Sequence, residues 1–204
     1  RDPARGPFVL YVEGPRDRDI LRVWARCLSP VLARSLEACA VILLGGRRPA
    51  RALEHFRGLG GSGAGVRGLV VLDRDHHLCE PRTEDEPGLD RFTWRRRHIE
   101  SYVLVPRAIR TSLGLAAGDA RADRLLEDHL PDPSDEDAHR VLNAKHLLGD
   151  KGPLARRFER RISPAGIARC MRADELHADV LDLYDRTLGN PVDAEDVLQD
   201  LFIK

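Results

Sequence analysis

Lysine is nearly missing from this chain of 204 residues. Lys145, Lys151 and Lys204 are the only three in a basic complement of 33. Arginine carries almost all the positive charge, so an internal lysine is worth examining. Net charge is missing as well: 33 acidic residues cancel the 33 basic ones. No global field draws the chain to a polyanion, and any nucleic-acid site has to be a local patch. Cysteine is scarce and poorly spaced for chemistry. Cys27, Cys39, Cys79 and Cys170 form no CxxC pair, which argues against a zinc cluster or disulfide framework and for a reducing, cytoplasmic setting. No apolar run nears 18 residues and no signal peptide is evident, so no membrane partner is expected. Methionine occurs once, at Met171, and the chain opens on Arg1, as a fragment cut from a longer polypeptide would.

What is present begins with a hydrophobic content of 42%, enough for one domain plus a substantial extension. "FVLYVE" (8–13), "AVILLG" (40–45) and "RGLVVLD" (67–73) read as buried strands. Between them, 15–28 and 48–59 read as helices, the first with Pro15 in its opening turn and an apolar stripe of Ile20, Leu21, Val23, Trp24 and Leu28. Alternating apolar strands and helices predict an α/β fold with a parallel sheet covered on both faces. A fourth strand is expected near 91–97. After Ser101 only helical spacing recurs, near 106–115, 122–130, 135–148, 153–162 and 173–188. The expected division is therefore an α/β core over 1–104 and a mostly helical domain over 105–204.

The third strand stops abruptly at "DRD". In open parallel sheets, ligands gather beyond the carboxyl ends of the strands. Glu13 closes the first strand, Asp17 follows in the next helix turn, and Asp73 and Asp75 close the third strand. If strands one and three are neighbours, these acids share one small space. Two carboxylates about 5 Å apart repel by roughly 3 kcal/mol at an effective dielectric of 20. Such a group either raises its pKa values or recruits positive charge. Hard oxygen ligands without cysteine favour Mg²⁺ or Mn²⁺ over zinc. A lone DxD is weak; the conjunction with EGxxD at another strand end is what carries weight.

"YVEGPRDRDIL" and "VVLDRDHH" resemble the two signature motifs of the Toprim domain, found in topoisomerases, bacterial primases and several nucleases. Glu13 matches the family's glutamate, Asp17 the acid four residues on, and Asp73 and Asp75 its DxD. The likeness spans roughly 8–104 and implies a Toprim-like, Rossmann-like core. "RRRHIESYVL" (95–104) is similar to a glutamate-bearing motif of Toprim nucleases of the OLD type, named for overcoming lysogenization defect. There the glutamate begins a helix and helps bind a second metal; Glu100 matches it. A downstream Lys-Gly pair in those nucleases is matched by Lys151 in "GDKGPLARRF". The resemblance implies an ATPase domain ahead of the nuclease region in the full-length chain, DNA as partner, and room for a homodimer. No topoisomerase tyrosine or primase zinc module is evident: Tyr11 lies within a strand, and Tyr102 and Tyr184 read as core or interface.

The activity so implied is a Mg²⁺- or Mn²⁺-dependent endo- or exodeoxyribonuclease. Two metals about 3.5–4 Å apart can activate an attacking water and steady the departing 3′ oxygen. Glu13, Asp73 and Asp75 are expected to hold one ion, and Asp17 and Glu100 to help position the other. Lys151 is expected to stabilise the extra negative charge of the transition state. Two basic clusters flank these positions, Arg95, Arg96 and Arg97 before Glu100, and Arg156, Arg157, Arg160 and Arg161 after Lys151. They could grip phosphates without reading sequence. The rival readings are a DxD phosphatase, whose nucleophile belongs on the first strand, and a catalytically silent Toprim module that binds DNA or assembles a complex. "GAGVRG" (63–68) satisfies GxGxxG but precedes a strand, and no Walker lysine is present, so ATP hydrolysis by this chain is not expected. His76 and His77 could touch a metal or phosphate but read more simply as loop residues. Trp24 and Trp94 read as core anchors.

Overall fold

Alternation within the strands decides which side of the sheet each residue covers. In the computed structural model, which describes residues 7–75 and 85–188, β1 (Phe8–Val12), β2 (Ala40–Leu43), β3 (Arg67–Leu72) and β4 (Leu89–Thr93) form one parallel sheet in the order β2-β1-β3-β4. Leu10, Val12, Leu69 and Val71 point to one face, and Val9, Tyr11, Val70 and Leu72 to the other. The first face carries α1 (Pro15–Leu28) and α2 (Pro30–Ala38); the second carries α3 (Pro49–Gly58) through Ala52 and Phe56. Both faces are thus covered, as the unbroken apolar runs require. β4 lies two residues earlier than the arginine-rich stretch at which a fourth strand was expected, because Leu89 and Phe92 supply the apolar contacts there.

The remaining chain is helical: α4 (Pro106–Ser112), α5 (Ala120–Glu127), α6 (Glu136–Val141), α7 (Ala144–Leu147), α8 (Pro153–Phe158), α9 (Pro164–Cys170) and α10 (Ala178–Leu188). Two helices were not anticipated, α2 and α9. Each follows a Ser-Pro pair: Ser29 Oγ accepts from the Val31 and Leu32 amides, and Ser163 Oγ accepts from that of Gly166. A capping serine followed by proline at the first helical position is the signal that marks them. The stretch 135–148, expected as one helix, breaks in two at Leu142. Asn143 caps the second piece by accepting from the His146 amide at 3.0 Å, and that break reorients Lys145.

The secondary structure changes character at 104, but the core does not. One continuous cluster joins Leu10, Ile20 and Trp24 to Ile109, Ile167 and Val180. Helix α9 packs against both α1 and α4. Trp24 is fully buried, lies edge-on to Trp94 with centroids 6.3 Å apart, and donates its indole N–H to Met171 Sδ at 3.4 Å. Tyr184 on α10 donates its hydroxyl to the Leu21 carbonyl of α1 at 2.5 Å. Among the described residues no helix is long and apolar enough to cross a membrane.

A shared core predicts shared folding. Residues 1–104 made alone strip α9 and α10 from α1, and should show no cooperative thermal transition by circular dichroism, whereas the whole chain melts in one. A piece ending at Leu104 that melts cooperatively would show that the two stretches fold independently.

Candidate active site

Parallel pairing of β1 with β3 brings their carboxyl ends side by side. Glu13, one residue past β1, reaches across and accepts the Asp73 amide at its Oε1, 2.8 Å away. Asp17 turns back from the first turn of α1 and accepts the Gly14 amide at 2.6 Å. Glycine suits position 14, because a Cβ there would press on the Asp17 carboxylate at 3.3 Å, closer than ordinary van der Waals contact. Asp73 is buried and doubly engaged. Its Oδ1 accepts the Ile99 amide at 2.9 Å, and its Oδ2 lies 2.5 Å from Lys145 Nζ. Arg47 donates to its carbonyl.

Glu100 sits in a 3-10 turn (Ile99–Val103) rather than opening an α-helix. It is 1% exposed; Oε1 pairs with Arg16 at 3.1 Å, and Oε2 is buried without a partner. The turn is clamped from outside. Tyr102 accepts the Arg96 amide at 3.0 Å and donates to Asp179 at 2.6 Å, while the Arg96 guanidinium forks onto Glu136 and reaches the Ser101 carbonyl. Asp75 takes a left-handed backbone, φ 51°, which a non-glycine residue adopts only when its surroundings demand it. That turn sets its carboxylate 3.3 Å from His98 Nε2. Burial, with Lys145 nearby, pushes the His98 pKa down to about 4, which favours the neutral ring beside Asp75.

Crowding of like charge is written into the acids themselves. Burial first, then Asp73 and Glu100, raise the Asp17 pKa to about 7. Burial, then Asp73, raises the Glu100 pKa, and burial raises that of Glu13 against the opposing hydrogen bond from the Asp73 amide. Lys145 answers in kind: burial alone would lower its pKa, but Asp73, Glu100 and Asp17 outweigh that and raise it. The structure thus gathers Glu13, Asp17, Asp73, Asp75 and Glu100 around one lysine. Among the described residues, however, no three acidic, histidine or cysteine side chains stand ready as a metal-binding group. Lys145 takes up one of the two carboxylate oxygens of Asp73.

Lys151 stands elsewhere. It is exposed, and the glycine beside it answers to packing: a Cβ on Gly152 would lie 2.3 Å from the His146 carbonyl oxygen and 2.6 Å from that of Leu147. Lys145, ten residues past the start of the stretch expected as a single helix, was not singled out; the capping asparagine before it was the available signal. The basic clusters also divide. Arg96 is 8% exposed and held by Glu136 and Tyr102, so its fork is not available to a phosphate. Arg95 is exposed beside Asp179, and Arg97 keeps its own internal interactions. Arg160 donates to the Leu113 carbonyl and Arg161 to Asp150, whereas Arg156 and Arg157 are exposed. His76 and His77 lie outside the described residues.

No protein-family model matches the chain, and no curated protein matches its sequence. Solved structures do match its fold. The C-terminal region of the Burkholderia pseudomallei OLD protein superposes with a TM-score of 0.53 at 18% identity, covering 89% of this chain and 96% of that one. The C-terminal region of the Xanthomonas campestris pv. campestris OLD protein gives 0.50 at 16% identity, covering 96% and 97%. At these identities the likeness is one of fold: a parallel α/β sheet with flanking helices, arranged as in OLD C-terminal regions.

The raised Asp17 pKa makes stability fall with pH. The folded state holds the proton more tightly than the unfolded chain, so this stability is full below pH 4 and is lost as pH rises toward about 7. In metal-free buffer Asp17→Asn, which keeps an oxygen for the Gly14 amide, should therefore melt several degrees above the parent at pH 8, with the gap closing near pH 4. A constant gap, or none, across that range in thermal melts would contradict the crowding described here.

Proposed function

We propose that this chain is a metal-dependent DNA nuclease, hydrolysing phosphodiester bonds at the carboxylate cluster. One observation carries the reading: five acids from two strand ends, the first turn of α1 and a 3-10 turn gather with a single lysine, the buried Asp73 among them. Clusters of like charge are costly in a fold and are kept where chemistry uses them. The fold shared with OLD C-terminal regions supports the same class, and accords with a further, ATPase domain in the full-length protein.

The residues fit a hard divalent cation. The donors are all carboxylate oxygens, as Mg²⁺ and Mn²⁺ prefer, and Oε2 of Glu100 is buried without a hydrogen-bond partner. Glu13, Asp73 and Asp75 would hold one ion, and Asp17 and Glu100 a second. When bound, such ions would neutralise the phosphate and acidify the attacking water. Entry requires Lys145 to leave Asp73, which frees its ammonium for the substrate. Lys145 has a side chain 40% exposed, so it can turn outward without unfolding α7. We assign it, rather than Lys151, the task of stabilising the extra charge on phosphorus in the transition state. His98, favoured in its neutral form, stands 3.3 Å from Asp75 without cancelling its charge.

Asp73 is poorly suited to act as a phosphatase nucleophile, since the Ile99 amide and Lys145 engage both its oxygens. A silent DNA-binding module remains the second reading, favoured by the absence of a ready metal-binding group among the described residues.

Plasmid DNA separates these readings. Nicking should require Mg²⁺ or Mn²⁺ and vanish in Asp73→Ala. Turnover should fall about 100-fold in Lys145→Ala, the loss typical of one charge-stabilising donor, and stay within a few-fold of the parent in Lys151→Ala. Cleavage by folded Asp73→Ala at the parent rate refutes the centre; the reverse ranking of the lysines moves the charge-stabilising role to Lys151. Binding without cutting in any divalent ion establishes the silent module.

A further inference from the structure

Helices α5 and α8 enclose an open recess of about 440 Å³. Arg121 and Arg124 line it from successive turns of α5, and Arg157 enters from α8. All three are exposed, and among the described residues none makes a side-chain hydrogen bond or ion pair. Their neighbours behave otherwise: Arg110 is paired with Asp123, Arg161 with Asp150, and Arg160 with the Leu113 carbonyl. Folding does not explain the arrangement. Like charges three residues apart oppose a helix, and Arg121 in the first turn stands at the positive end of the α5 dipole. Asp128 is the one acid in the lining, too little to neutralise three guanidinium groups. His129 completes the rim, its Nδ1–H donated to the Leu125 carbonyl at 2.9 Å.

We propose that this recess binds phosphate groups of the DNA backbone, a contact separate from the carboxylate centre. The inference rests on the nuclease reading for the identity of its ligand. Guanidinium forks match phosphate oxygens in pairs. The volume admits a nucleotide-sized unit, and Leu125 offers an apolar wall to the sugar. The arginines that line the recess are exposed, so it grips the backbone and positions the strand without reading bases. Because the recess is open, a continuous strand can pass through it.

The test is fluorescence anisotropy of a labelled duplex with the whole chain in EDTA, across about 50 to 200 mM salt. Each phosphate contact contributes roughly 0.9 to the slope of log K against log salt. The double variant Arg121→Gln, Arg124→Gln should lose about 2 from that slope and bind at least tenfold more weakly at the lowest salt. Arg157→Gln should lose about 1. Arg26→Gln, which removes a cation paired with Glu37 on other helices, should match the parent. Adenosine monophosphate at millimolar concentration should not displace the duplex. A double variant that retains the parent slope overturns the recess alone, provided the parent binds and cuts DNA. A parent that binds no DNA overturns both the recess and the nuclease reading. Displacement by the mononucleotide through Arg121 and Arg124 would make this a free-nucleotide site and overturn the proposal.

Discussion

Asp73 is the pivot of this structure. Its backbone amide is bound by Glu13, one carboxylate oxygen by the Ile99 amide and the other by Lys145. Those three contacts join the end of β1, the turn bearing Glu100 and the helix bearing Lys145. A charge buried this deeply is tolerated only when hydrogen-bonded and paired. Glu13, Asp17 and Glu100 share the burial, and burial above all, with the neighbouring carboxylates, raises their proton affinities although Lys145 opposes the rise. The centre therefore holds one ammonium among a surplus of carboxylates.

The helical half holds the centre together as well as supplying its lysine. Arg96, Glu136, Tyr102 and Asp179 tie the Glu100 turn to α6 and α10. Buried ionic contacts of this kind add little net stability, because desolvation offsets their attraction. They do restrict which arrangement of the turn is satisfied. Moving Glu100 would strand Asp179 or the Arg96 fork away from water, so positional control of a buried carboxylate is the larger benefit. The recess between α5 and α8 shows the opposite treatment of arginine, with guanidinium groups left exposed and, among the described residues, unpaired. One residue type thus does two jobs, and burial distinguishes them.

Much was legible in advance where one periodicity ruled. Apolar runs marked three strands to within two residues, and the stripe from Ile20 to Trp24 marked α1. The acids at strand ends were legible because parallel strands all deliver their carboxyl ends to the same edge of the sheet. Arg96 could not be read as internal, because nothing local distinguishes it from Arg95. Only the approach of Glu136, forty residues away, makes it a buried partner. Nor could the break before Asn143 be weighed against the helical spacing around it, since capping and periodicity compete at similar energies.

Sequence alone therefore determined the layered α/β architecture and the acidic end of the sheet, because alternating burial and parallel pairing follow from residue order within a few turns of chain. Tertiary structure alone decided which lysine meets Asp73, which arginines are consumed inside, and that one core runs past residue 104. Those outcomes depend on contacts between residues dozens of positions apart, whose geometry is set by how helices pack and which no local pattern encodes.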